Sequence, residues 1–288
     1  MRVLVTGSAG FIGRHFAARL HELGYSVLGV DIGHERHIDA RDFFRTSRFH
    51  FDLVIHAAAV IPHIANRLVN PMLVRQNIEI DAALFTWAMA TRPSHVVYFS
   101  SAAAYPLALN NRIALHEDDI NLDDIRQPDA MYGFVKLVGE VQALEAQRQG
   151  LDVLVVRPQS GYGADQGFDY PFPGIISRAR RSTRPLTIWG SGDQVRDFVH
   201  VDDVVDATMA LLESEERRPV NIGTGIPTTL RGLAEAVAHA LGDDDPVILA
   251  DHTKPEGSPG RWADVERLHK VYVPAITLEE GIKRALSR

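Results

Sequence analysis

The chain has 288 residues, is 45 % hydrophobic and carries a formal net charge of −7. That is enough apolar material for a full core in one large domain or two close ones, and the acidic balance offers no electrostatic footprint to a nucleic acid or a membrane surface. With no cysteine, disulfides, thiolate chemistry and Cys-ligated metals are excluded.

Arg2-Val3-Leu4-Val5-Thr6 is a short β-branched apolar run, long enough for one buried strand. Its start, and the lack of any apolar run approaching a membrane span, lead to the expectation of a soluble, cytoplasmic protein. The run enters Gly7-Ser8-Ala9-Gly10-Phe11-Ile12-Gly13, after which Ile12, Phe16, Leu20 and Leu23 recur at helical spacing. Ser26 to Val30 reads as a second strand ending on Asp31. Strand, glycine turn, helix and a strand with a terminal acid form the first half of a dinucleotide-binding fold. Gly7, Gly10 and Gly13 permit the tight turn, the approach of backbone to a pyrophosphate and close helix packing. The helix N-terminus then presents N–H groups to the phosphates. Asp31 can accept hydrogen bonds from ribose hydroxyls and would repel a 2′-phosphate, which favours NAD over NADP.

Gly33 to Arg48 is polar and reads as a loop. Within it His34-Glu35-Arg36-His37 falls one residue short of H-E-x-x-H, so no metal is expected. Leu53 to Ala59 is the next buried strand, and the small Ala57 and Ala58 leave room for a cofactor across the sheet edge. A helix is predicted from Asn77 to Met89, a strand from His95 to Phe99, and a loop from there to Asp129. Tyr132 to Gln149 reads as an amphipathic helix with Val135, Val138, Val141 and Leu144 on neighbouring turns, and Leu151 to Val156 as a strand closed by Arg157-Pro158.

This alternation predicts an α/β fold, a Rossmann-type doubly wound parallel sheet with a smaller C-terminal substrate-binding domain. Residues 1–158 would form the dinucleotide-binding domain. Residues 159–288 would be mainly substrate-binding, with part of 192–222 returning to pack on the first. Asp202 to Leu212, Leu230 to Leu241 and Leu278 to Leu286 read as helices, the first with Asp202 as N-cap.

Tyr132-Gly133-Phe134-Val135-Lys136 carries the chemistry. At i and i+4 the phenol and the ammonium share a helix face, and the charge is expected to lower the tyrosine pKa, making Tyr132 a usable acid/base. With seven tyrosines and four lysines, a chance Tyr-x-x-x-Lys is expected only about 0.1 times. Ser101, at the end of the fourth strand, can hydrogen-bond a substrate oxygen and hold it for Tyr132.

On these residues the chain resembles an extended short-chain dehydrogenase/reductase of the NAD-dependent nucleotide-sugar epimerase/dehydratase family. The likeness continues through Leu186-Thr187-Ile188-Trp189-Gly190, Arg196-Asp197-Phe198-Val199-His200 and Asn221-Ile222-Gly223-Thr224-Gly225. The resemblance implies Ser101, Tyr132 and Lys136 as a catalytic triad, with Lys136 also on the nicotinamide ribose. It adds Phe11, Ile12 and Asn77 to the cofactor set. On the substrate side it implies Arg196 on a diphosphate, Trp189 at the base, Lys254 as a second phosphate contact, and Ser160 where the family usually has asparagine. A nucleotide-sugar substrate and a homodimer built on the Tyr132 and Asn77 helices are also implied.

Departures narrow the member. Ala102-Ala103 follow the catalytic serine where 4,6-dehydratases of the family carry Asp-Glu and decarboxylases a carboxylate. The Tyr105-Pro106 pair and Lys254-Pro255-Glu256-Gly257 are similar to GDP-fucose synthases, but Ala103 stands where those use cysteine. The leading expectation is therefore a 4-epimerase. A 4-keto-6-deoxysugar 4-reductase using NAD(P)H is the alternative, and a non-catalytic NAD-binding regulator a minor one.

Overall fold

A computed structural model describes residues 1–61, 71–110, 113–128, 130–168, 170–182 and 184–287. The chain runs through β1 (Arg2–Thr6), α1 (Phe11–Glu22), β2 (Ser26–Val30), α2 (Ala40–Thr46), β3 (Leu53–His56), α3 (Pro71–Thr91), β4 (His95–Phe99), α4 (Ala130–Arg148) and β5 (Val153–Pro158). It continues with β6 (Ser160–Tyr162), α5 (Pro171–Ala179), β7 (Leu186–Trp189), β8 (Val195–His200), α6 (Val201–Glu213) and β9 (Val220–Ile222). β10 (Pro227–Thr229), α7 (Leu230–Ala240), β11 (Ile248–Asp251), α8 (Glu266–His269) and α9 (Leu278–Leu286) complete it.

The main sheet is parallel, in the order β2-β1-β3-β4-β5-β9. Because β2 lies to one side of β1 and β3 to the other, the chain direction switches at β1/β3, where an open sheet leaves a crevice for a ligand. Alternation along each strand fills two cores. Val3, Val5, Val97 and Phe99 pack with Phe16 of α1 and Val204 and Leu211 of α6. Leu4, Val54, Val96 and Tyr98 face the other way, onto Phe44, Leu84, Trp87 and Ala143. Burial on both faces explains why these strands are apolar throughout. A third core, with Phe172, Ile188, Phe198, Leu233 and Ile282, lies among α5, α7, α9 and two small sheets, β10-β8-β6 and β11-β7.

The chain leaves the main sheet after β5 and comes back to add β9 beside it, with Val156 opposite Val220. A buried ion pair fastens the strand ends there. Arg157 meets both carboxylate oxygens of Glu140 on α4, Nε to Oε1 at 2.9 Å and Nη2 to Oε2 at 2.7 Å, and the Ser100 hydroxyl joins the same carboxylate. Arg157 Nη1 also donates to the Glu117 carbonyl at 2.8 Å, and Tyr105 donates to Asn221 of β9 at 2.7 Å.

Several elements differ from the sequence expectation, among them α3, which begins at Pro71 rather than at Asn77. The polar stretch after Asp31 contains α2, because Asp39 caps it through the Arg41 N–H at 2.8 Å while Ala40 and Phe44 are buried. β3 stops at His56: Ala57 still donates to the Thr6 carbonyl, but Asn77 then clamps both polar backbone atoms of Val60 at 2.9 Å and draws the chain off the ladder. The N-cap of α6 is His200, whose ring accepts the Asp202 N–H. β8 passes into α6 without a linker, so Asp202 already stands in the first turn. On α4, Val135 is buried but Val141 is exposed, so the valine stripe is not one buried face.

Candidate active site

A cavity of about 930 Å³ lies across the carboxyl ends of β1, β3 and β4 and reaches the smaller sheets. Gly7, Gly10, Phe11, Ile12 and Gly13 line one end. Gly7 has φ +71°, and a Cβ there would stand 2.6 Å from the Ala57 carbonyl carbon; one on Gly13 would stand 2.1 Å from the Gly7 oxygen. Any side chain at either position would collapse the turn. Gly10 caps α1 with no side-chain hydrogen bond, which leaves the first-turn N–H groups to a ligand. Asp31 accepts the Ala9 N–H at 3.0 Å and the Gly33 N–H at 2.6 Å, fixing its carboxylate beside the turn. Ala57 and Ala58 line the same end. A cradle this narrow, with an open helix end and an acid at the second strand, fits a dinucleotide pyrophosphate and an unphosphorylated ribose.

Asn77 is not among the lining residues; its amide is spent on Val60 and on the Leu73 carbonyl. Nor do the histidines after Asp31 gather: His34 meets the Ser8 hydroxyl at 2.8 Å and His37 the Ile32 carbonyl.

At the centre, Ser101, Tyr132 and Lys136 line the cavity together. The Ser101 hydroxyl accepts the Ala103 N–H at 3.1 Å and so caps the short 3-10 turn Ala102–Ala104. Gly133 sets the approach of α4 to that turn, since a Cβ on it would stand 1.9 Å from the Ala103 oxygen. Lys136 Nζ lies 5.8 Å from the centroid of the Tyr132 ring and 5.1 Å from that of Tyr98. The expected lowering of the Tyr132 pKa does not occur. Burial, with a smaller contribution from Asp81, holds the phenol above 10, and burial also lowers Lys136. Spacing reveals which groups are neighbours but not how much water they have lost, and here desolvation wins.

At the far end Ser160, Trp189 and Arg196 line the cavity. Arg196 donates to the Val195 and Ser258 carbonyls at 2.7 and 3.0 Å, and the buried Asp197 beside it knits β8 to the backbone of Thr224, Gly225 and Ala263. Lys254 is not among the lining residues; its Nζ stands 5.9 Å from the centroid of the Trp189 ring, and the segment after it, Pro255 to Pro259, supplies the wall instead. Sequence reasoning missed Arg41 near Asp31 and Arg178 at this end, whose guanidinium lies 5.7 Å from the Trp189 centroid. Neither belongs to a motif. The aromatic crowding before Arg178 was the only signal.

The fold and the site define a dinucleotide-dependent enzyme of the short-chain dehydrogenase/reductase class. Residues 3–223 match the model of the NAD dependent epimerase/dehydratase family, and the chain belongs to that family; its cofactor is NAD. GDP-L-fucose synthase of Escherichia coli (strain K12) is 28 % identical over 306 residues, covering 98 % of this chain and 94 % of that protein. dTDP-4-dehydro-6-deoxy-D-allose reductase of Streptomyces sp is 29 % identical over 296 residues, covering 93 % of this chain and 90 % of that protein. Among solved structures, UDP-glucose 4-epimerase from Thermotoga maritima, with UDP-glucose, superimposes with a TM-score of 0.83 at 26 % identity, over 100 % of this chain and 98 % of that one. Among the described residues, no helix is long and apolar enough to cross a membrane.

Proposed function

We propose that the protein is a nucleotide-sugar 4-epimerase that works through a transient 4-keto sugar. The observation that carries this reading is the chemistry left beside the Ser101–Tyr132–Lys136 group. Ala102, Ala103 and Leu107 follow it along the cavity wall, and the lining carboxylates among the described residues are Asp31, Asp39 and Glu256, which belong to the two ends. Dehydration or ring-carbon epimerisation needs a further acid/base at the sugar. Among the described residues, those beside the triad support proton transfer at one oxygen.

Gly7, Gly10, Phe11, Ile12, Gly13, Asp31, Ala57, Ala58 and Lys136 would hold the cofactor, and Arg196, Trp189 and Ser160 the nucleotide sugar. Bound NAD supplies the hydride acceptor and donor for C4, and a ring charge that opposes the effect of burial on Tyr132. Tyr132 takes the O4 proton as C4 is oxidised, with Ser101 holding the oxygen. It returns that proton once the sugar has offered its other face, so the cycle consumes no redox equivalent. A strap favours retention of the cofactor between turnovers. Arg14 and His15, just after the glycine turn, bond Asp165 at 2.7 and 3.1 Å, tying α1 to the segment that lines the substrate side.

The likeness to the allose reductase supports a second reading, a 4-ketoreductase with the same triad. The two separate on the cofactor. Freshly purified protein, denatured, is expected to release near-stoichiometric NAD⁺ or NADH, and to interconvert a 4-epimeric pair of nucleotide sugars with none added. An empty protein that consumes NADH or NADPH with a 4-keto sugar would overturn the epimerase in favour of the reductase.

The same reading includes a homodimer. Met131, Phe134 and Val141 are exposed on α4 at helical spacing, and Met72 is exposed on the neighbouring α3. Light scattering at micromolar concentration is expected to give the mass of two chains; the mass of one would refute it.

A further inference from the structure

Behind the catalytic pair lies a buried polar group that the reaction as derived above does not use. Asp81 of α3 is 2 % exposed. Its Oδ2 accepts the Tyr98 hydroxyl at 2.7 Å, and its Oδ1 lies 3.2 Å from His56 Nε2. His56 reaches Thr6 Oγ1 at 2.8 Å through its other ring nitrogen and lies nearly parallel to the Tyr98 ring. Tyr98 is the shelf on which the Lys136 ammonium rests. One turn beyond Lys136, a Cβ on Gly139 would stand 1.8 Å from Tyr98 Oη and 2.7 Å from Asp81 Oδ2. The missing side chain is what lets the Tyr98–Asp81 pair sit directly against α4.

The charges around Lys136 can be assigned element by element. Glu140, on its own helix, is taken by the Arg157 guanidinium of β5 and by Ser100. On β3, His56 is fully buried and its pKa is lowered by burial, so it stays neutral; Tyr98 on β4 is neutral as well. Among the described residues, that leaves Asp81 as the carboxylate with no guanidinium bonded to it, and Lys136 as the cation across the ring from it.

We propose that Asp81 is a positioning residue for the Lys136–Tyr132 pair: it is the counter-ion of Lys136, anchors the Tyr98 shelf, and sets the pH at which Tyr132 gives up its proton. The inference rests on Tyr132 being the acid/base of the reaction. A nearby negative charge disfavours phenolate and favours ammonium. The sign follows: neutralising Asp81 makes Tyr132 easier to ionise and Lys136 easier to discharge.

In Asp81→Asn the amide oxygen can still accept from Tyr98, so the shelf keeps its hydrogen bond while the charge is gone. The Tyr132 ionisation, read as tyrosinate absorbance against the matching Tyr132→Phe background in the NAD-loaded protein, is expected to move down by about one pH unit. The acidic limb of the kcat profile should move with it. A folded Asp81→Asn protein whose ionisation and profile both stay in place would overturn the proposal, since a merely structural role changes amplitude and not position. Asp81→Thr, a second neutral replacement with an oxygen on α3, gives the same reading if the first variant does not fold. The absorbance needs no sugar substrate, so it decides about Asp81 even where the epimerase assignment fails.

Discussion

Tyr132→Phe is expected to lower kcat by about 10³-fold, the middle of the range for loss of a positioned general acid–base. The ring that lines the cavity stays, and the phenol makes no hydrogen bond to the described residues, so its removal orphans no buried partner. Thermal stability and the amount of NAD that co-purifies should therefore change little. The measurement is kcat with a 4-epimeric sugar-nucleotide pair, alongside a melting curve and the released nucleotide. The oxygen of the substrate would still be held by Ser101 but would have no route for its proton. Wild-type turnover in this variant would remove Tyr132 from the reaction and, with it, the epimerase mechanism.

The largest expected effect on stability comes from Glu140→Gln. Arg157 is 2 % exposed, burial lowers its basicity while Glu140 and Tyr105 more than restore it, and both of its forward nitrogens depend on the Glu140 carboxylate. Exchanging the carboxylate for an amide leaves a guanidinium in the core without a counter-charge. Breaking such a pair from one side costs about 3–5 kcal/mol. For a chain of this length that corresponds to a fall in Tm of about 10 °C, read by calorimetry or circular dichroism. Replacing both partners at once, as Glu140→Leu with Arg157→Met, should recover much of the loss, because no charge is then stranded. A Glu140→Gln protein as stable as wild type would mean that water reaches Arg157, and the description of this core would be wrong.

The elements that carry the site were legible because they rest on local chemistry. A glycine turn between a strand and a helix, and a tyrosine four residues before the only lysine of the first 253, can be read without knowing what packs on them. What escaped reading depends on distant partners. The α2 helix hides in a polar stretch because its two buried residues, Ala40 and Phe44, meet a core formed by α3 and the sheet. Asn77 was read toward the cofactor, but the structure spends its amide on the backbone of Val60. The sign of the Tyr132 shift failed for a related reason: the ammonium was visible in the spacing, whereas the burial of α4 and Asp81, fifty-one residues upstream, were not. Arg178 had no motif at all and becomes a wall of the cavity only because α5 folds against β7, where its Nε donates to the Thr187 carbonyl.

The return of β9 beside β5 has a consequence for modularity. A cut after Pro158 would strip the first half of the chain of its outer strand and of α6, whose Val204 and Leu211 cover one face of the sheet. The fragment would expose the β5 ladder as an open edge, a template for pairing with other chains. The segments that build this sheet and its cores are therefore discontinuous in the sequence: residues 1–158, α6 and β9, with Leu268 of α8 buried in the same core. A different substrate half joined after Pro158 is therefore expected to leave the first half unfolded unless it also supplies a strand for the β5 edge and a helix over Val3, Val5 and Val97.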